Sequence, residues 1–148
     1  MNRRGTQEGF SFTELVVVVG VLGVLLSIAI PYFKDTVAQS RRADATGVLS
    51  ETAQYLERVF TESARYDRTA AGVAVVVPVP LQTVPRSVSA AAAYYNVSFL
   101  SGPTDAAYTL QAVPVNGMAG DACGTLTIDS TGKKGVTGGS KTVAQCWR

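Results

Sequence analysis

Residues 15–33 read LVVVVGVLGVLLSIAIPYF, nineteen positions without a charge. As a helix at ~1.5 Å per residue this run spans roughly 28 Å, close to the hydrocarbon thickness of a bilayer. It is apolar all round, so it has no polar face to leave in water. Valine dominates, and Gly20 and Gly23 thin one side in the way that suits close packing between helices. Ser27 is the main polar interruption. Pro31 lacks an N–H donor and is expected to kink the helix near its membrane exit. At the mouth of the run stands Glu14, a carboxylate where a carboxylate is costly.

Beyond Pro31 the pattern changes. Ala45, Val48, Leu49, Ala53, Leu56, Val59 and Phe60 recur at three- and four-residue steps, while Arg41, Arg42, Asp44, Glu51, Glu57, Arg58 and Glu62 occupy mostly other faces. That spacing predicts an amphipathic helix, which Gly47 weakens by about 1 kcal/mol without ending it. The simplest reading is one long kinked helix over residues 12–65. Residues 69–92 hold Pro78, Pro80 and Pro85, which exclude a helix interior or a central strand. A connecting loop with a short edge strand or turn is expected there.

Three strands follow by their alternation, at residues 94–100, 107–113 and 123–129. They place Tyr95, Val97 and Phe99, then Tyr108, Leu110 and Ala112, then Leu126 and Ile128 on one side. STGKKG turns the chain again, and TVAQCW is read as a last short strand. A sheet of three or four antiparallel strands would cover the amphipathic half of the helix, which gives an α+β layer architecture.

Composition removes most chemistry. There is no histidine, so the commonest general base and metal ligand are absent. The only two cysteines, Cys123 and Cys146, cannot complete a four-ligand zinc site. In an exported chain they would form a disulfide closing a loop of about 24 residues, for which loop entropy gives roughly 3.5 kcal/mol. GVTGGSKT, residues 135–142, departs from a phosphate-binding loop at Ser140, and six residues after Thr142 leave no room for the helix that motif needs. The glycines with Lys133, Lys134 and Lys141 read as a solvated surface loop, with a basic contact patch for a partner or DNA as the alternative. The net charge of +2 is scattered, which gives nucleic-acid binding little direct support. The sequon at Asn96 lies inside a strand pattern and is given no role. No nucleophile–base pair, metal site or cofactor loop remains, so no enzyme, cofactor or small-molecule substrate is expected.

The remaining question is the start of the chain. A secretory signal peptide accounts for Arg3, Arg4, the apolar core and a small-residue site at Ser27–Ala29, and predicts a mature N-terminus at Ile30. It does not account for Glu14 or for the direct run into an amphipathic helix. GFSFTEL followed by a valine-rich helix resembles the prepilin signature of type IV pilins and pseudopilins, most nearly the type IVa branch. Ser11, Phe12 and Thr13 depart from that family's commoner TLI triplet. The C-terminal CGTLTIDSTGKKG…CW resembles the disulfide-bounded region of minor pilins of the PilE kind, whereas residues 65–92 carry no part of the resemblance.

The resemblance implies a leader over residues 1–9, and cleavage between Gly9 and Phe10 by a membrane prepilin peptidase that methylates the new Phe10 amine. It implies a membrane and filament-core helix over 10–33, and a periplasmic globular domain over 34–148 that includes the region 123–146. Before assembly the chain would sit in the inner membrane, an orientation with which Arg3 and Arg4 agree. It would then enter a type IV pilus with major and minor pilins and help prime or assemble it, serving attachment, twitching motility and DNA uptake. Glu14 would pair with a neighbour's Phe10 amine and select one register. Alternatives are a type II secretion pseudopilin, or a tip-located DNA- or surface-binding module.

Overall fold

The computed structural model describes residues 11–147. Helix α1 runs from Phe12 to Ser63 and is continuous through position 31. The chain divides into two compact units between Val37 and Ala38, so α1 contributes to both. In the first unit, every large apolar side chain described from Phe12 to Phe33 is more than half exposed. Among the described residues of this unit, the uncharged run stays exposed.

In the second unit the same helix behaves differently. Ala45, Val48, Leu49, Thr52, Leu56 and Val59 are buried, the three- and four-residue steps of one stripe. The Thr52 hydroxyl is satisfied by donating to the Val48 carbonyl at 2.8 Å, which lets a polar residue sit in the core. Phe60, expected in the stripe, is 38% exposed and instead stacks on Tyr66. The helix ends two residues before the expected Arg65. Ala64 takes a left-handed backbone (φ 58°), and its N–H closes on the Phe60 carbonyl at 2.7 Å.

The stripe is covered by an antiparallel sheet of five strands: β1 (Thr83–Val84), β2 (Tyr95–Ser101), β3 (Thr109–Pro114), β4 (Thr125–Asp129) and β5 (Lys134–Thr137), adjacent in chain order. Register places Val97, Ala112, Leu126 and Val136 opposite one another in a row on the core face. The three alternating segments therefore form the strands expected of them. The opposite face is polar, with Gln111 donating across the pair to the Ser98 hydroxyl.

The sheet has one strand more than the upper estimate of four. The added strand is β5, in glycine-rich sequence read as a solvated loop. Glycine serves close approach here, and at Gly124 (φ 60°) a left-handed backbone as well. A Cβ on Gly139 would lie 2.4 Å from the Ala122 carbonyl oxygen, and one on Gly124 would lie 2.3 Å from that of Thr137. The segment after β5 is thus laid against the chain entering β4, and the Ala122 carbonyl accepts the Ser140 and Lys141 N–H groups at 2.8 and 3.0 Å.

TVAQCW forms a helical turn, α2 (Val143–Cys146), in place of the expected last strand. The Gln145 side chain reaches back to accept the Thr142 N–H at 3.0 Å, a local cap that outweighs the β preference of Thr and Val. The proline-containing segment contributes more than a connection. Val75, Val77, Leu81 and Val84 enter the core, with β1 as the expected edge strand.

Candidate functional site

Two regions carry the candidate residues. The first is the beginning of α1. Gly9 and Phe10 lie outside the described residues. Ser11 opens the helix, its carbonyl accepting the Leu15 N–H at 3.1 Å, and its hydroxyl is 2.9 Å from that of Thr13. Glu14 sits in the first turn, where a carboxylate favours the positive end of the helix dipole. Its side chain is exposed, and no cation of the described residues pairs with it. Ser27 donates to the Val24 carbonyl at 2.6 Å, so the one hydroxyl within the uncharged run before Tyr32 is satisfied inside the helix.

The second region is the disulfide-bounded C-terminus. Cys123 and Cys146 are bonded, with Cα atoms 5.8 Å apart. The bond ties the start of β4 to α2. The β4–β5 hairpin is closed by Asp129, whose Oδ1 accepts the backbone N–H of Thr131 at 2.9 Å and that of Lys133 at 3.0 Å. The Thr131 hydroxyl first, and these amides with it, hold the Asp129 carboxyl below its ordinary range. Lys133 and Lys134 are exposed and Lys141 half-buried. Lys134 pairs with Ile128 in register, and its Nζ lies 5.1 Å from the centre of the Trp147 ring. Trp147 in turn donates Nε1–H to the Gly135 carbonyl at 3.0 Å. Lys134 is therefore held against the edge strand, whereas Lys133 is set at the hairpin turn.

Sequence reasoning missed the polar centre that joins α1 to this region. Arg42, grouped by the sequence with the charges mostly off the apolar stripe, is buried. Its Nε reaches both Asp121 oxygens at 3.1 and 2.9 Å, and its Nη2 reaches Oδ1 at 2.5 Å. Asp121 also accepts the Cys123 N–H at 3.1 Å and the Tyr95 hydroxyl at 3.4 Å. Burial pushes the Asp121 carboxyl up, but the hydrogen bonds from Arg42 and Cys123 outweigh it and hold it below the ordinary range. Burial, followed by the Asp121 charge, raises Tyr95, so the phenol stays a neutral donor. A second centre lies nearer the helix end. There Glu57 accepts from Tyr66 at 3.0 Å and from Tyr108 at 3.3 Å, and burial followed by Glu57 raises Tyr108. No group of three or more metal-ligating side chains occurs among the described residues.

With this geometry in view, residues 31–127 match the family model described as type IV minor pilin ComP, DNA uptake sequence receptor. The chain belongs to that type IV minor pilin family. The match to this minor pilin includes the amphipathic half of α1, Asp121 and Cys123, and stops before the three lysines and Cys146. Among relatives, fimbrial protein EcpC of Eikenella corrodens is 30% identical over 73 residues, 48% of each chain. Type IV major fimbrial protein FimA of Dichelobacter nodosus is 39% identical over 58 residues, 39% of this chain and 35% of its own. The aligned part of the minor pilin thus spans half or less of these relatives' length.

Two solved structures are similar. A type IV pilin from Shewanella oneidensis is 28% identical with a TM-score of 0.48, covering 75% of this chain and 98% of its own. The Neisseria meningitidis non-core minor pilin PilV is 19% identical with a TM-score of 0.49, covering 73% and 94%.

Proposed function

We propose that this minor pilin is stored in the bacterial inner membrane by the first part of α1, with its globular unit in the periplasm, and is then built into a type IV pilus. One observation carries the reading: the large apolar side chains of residues 12–33 are exposed, although their helix continues into a packed core. Lipid covers that surface before assembly, and the apolar helices of neighbouring major and minor pilins cover it afterwards. Pro31 bends the helix where it leaves the bilayer. The chain acts as a structural subunit that helps prime or assemble the filament for attachment and twitching motility, and it carries no catalysis of its own.

Under this reading residues 1–9 are a leader removed by a prepilin peptidase between Gly9 and Phe10, and the Phe10 amine is methylated. Glu14 then pairs with the Phe10 amine of a neighbouring subunit, which rewards one axial register. Mass spectrometry of the membrane-extracted protein should find an N-terminal methylated Phe10. Glu14→Gln should leave that processing intact and abolish incorporation into filaments. Undiminished incorporation would reject the pairing, and an N-terminus at Met1 or Ile30 would reject the leader.

A second role rests on the family description, which names a DNA uptake sequence receptor, and on Lys133 and Lys134 standing exposed at one sheet edge. The region around Lys133, Lys134 and Lys141 is a weak DNA contact through phosphate. Replacing all three by alanine should weaken DNA binding at every sequence and flatten its salt dependence by up to about three counterion steps. An unchanged salt slope would place DNA contact elsewhere or nowhere.

A further inference from the structure

The uncharged run ends in two aromatics, Tyr32 and Phe33, and a cation, Lys34, follows it, with Asp35 next. Tyr32 is 76% exposed and Phe33 69% exposed, so neither is held by the chain's own packing. Tyrosine and other amphipathic side chains gather at the level of lipid headgroups, where one end of the ring is apolar and the other wet. Lysine beside them can keep its ammonium in the headgroup layer while its stem lies on apolar surface. The Thr36 hydroxyl donates back to the Tyr32 carbonyl at 2.9 Å, so its polar group is satisfied within the helix just past Pro31.

Counting back from Tyr32 locates the other boundary. Glu14 lies eighteen residues earlier in one continuous helix, or about 27 Å at 1.5 Å per residue. The hydrocarbon layer is about 30 Å thick. With Tyr32 at one interface, the Cα of Glu14 falls within a few ångströms of the other. Helical side chains lean toward the N-terminus, and for Glu14 that direction leads out of the bilayer. Ser11 and Thr13 lie on the same outward side and add hydroxyls to that layer.

We propose that Tyr32, Phe33 and Lys34 form a lipid-headgroup anchor that sets the depth of the helix, so that Glu14 is held at the opposite interface during membrane storage. This rests on the membrane-storage reading and adds a register to it. The bilayer is the occupant because the apolar surface is continuous around the helix, is as long as the hydrocarbon layer, and has polar groups at both ends. The consequence concerns timing. Glu14 stays hydrated in the membrane and loses water only when the helix is drawn into a filament, so its need for a counter-ion arises at extraction.

The test uses the full chain in phosphatidylcholine–phosphatidylglycerol vesicles. Single cysteines replace Ser11, Val16, Gly23, Leu26 and Thr36 one at a time and carry a nitroxide, while Cys123 and Cys146 remain closed in their disulfide. The ratio of collision with oxygen to collision with a water-soluble nickel chelate gives each label's depth. The deepest label should be that at Gly23, with those at Ser11 and Thr36 in the headgroup layer. Tyr32→Ala with Phe33→Ala should shift the deepest position by about one helical turn, ~5 Å, while Glu14→Gln should leave the Thr36 label where it was. A depth maximum away from Gly23, or one unmoved by the double replacement, overturns the anchor while leaving membrane storage standing. Labels equally open to the chelate at every position would overturn membrane storage itself.

Discussion

The two parts of α1 share one backbone and solve opposite problems. Over residues 12–33 the large apolar side chains lie exposed, while residues 45–59 bury one stripe beneath a sheet. A charge shows the difference well. Glu14 finds no partner among the described residues, whereas Arg42 is enclosed with Asp121 and bonded through two of its nitrogens. The stability of the second part is internal to the chain. The first part depends on whatever surrounds it, so its side chains are free to be selected for assembly.

That contrast is broken most directly at Asp121. Asp121→Ala leaves a buried guanidinium uncompensated and should cost about 3–5 kcal/mol, read as the denaturant midpoint of the detergent-solubilised chain. The same residue gives a pH signature. Its folded pKa is depressed, so its contribution is complete above the ordinary carboxylate value of about 3.9 and is lost as pH falls below that toward the folded value. Asp121→Asn should remove that part of the acid-side loss, and an unchanged acid limb would deny the pair its role.

Opening the disulfide by Cys123→Ser with Cys146→Ser should cost roughly 3.5 kcal/mol on the loop-entropy model, measured the same way. At the other extreme, Leu25→Ala in the exposed run should change the unfolding midpoint of the globular unit by less than about 0.5 kcal/mol. A loss of 2 kcal/mol or more there would mean that the first part of the helix is packed within its own chain.

Legibility follows the same division. The uncharged run, the stripe on α1 and the three alternating strands were readable because each is a local period of hydrophobicity. β5 was not, since its sequence KGVT offers one apolar residue and its one glycine, Gly135, answers to the neighbouring Thr127 rather than to a turn. α2 was misread because four residues are too few for a period, and its cap depends on the side chains of Thr142 and Gln145. In the candidate regions, the chemistry of Glu14 and of the cysteine pair could be read from residue type and order. The placement of Lys134 against Trp147 could not, because their closeness comes from the return of the C-terminus to the sheet edge.

By itself, then, the sequence determined a membrane-length apolar helix with a carboxylate at its mouth, an amphipathic continuation, and a sheet to cover it. Tertiary structure alone decided that Arg42 would be buried. Its partner lies 79 residues away, and no local pattern distinguishes a cation bound for solvent from one that a distant carboxylate will enclose. Local periodicity reports which side of an element avoids water, whereas a buried charge is tolerated only where the finished fold brings its counter-ion.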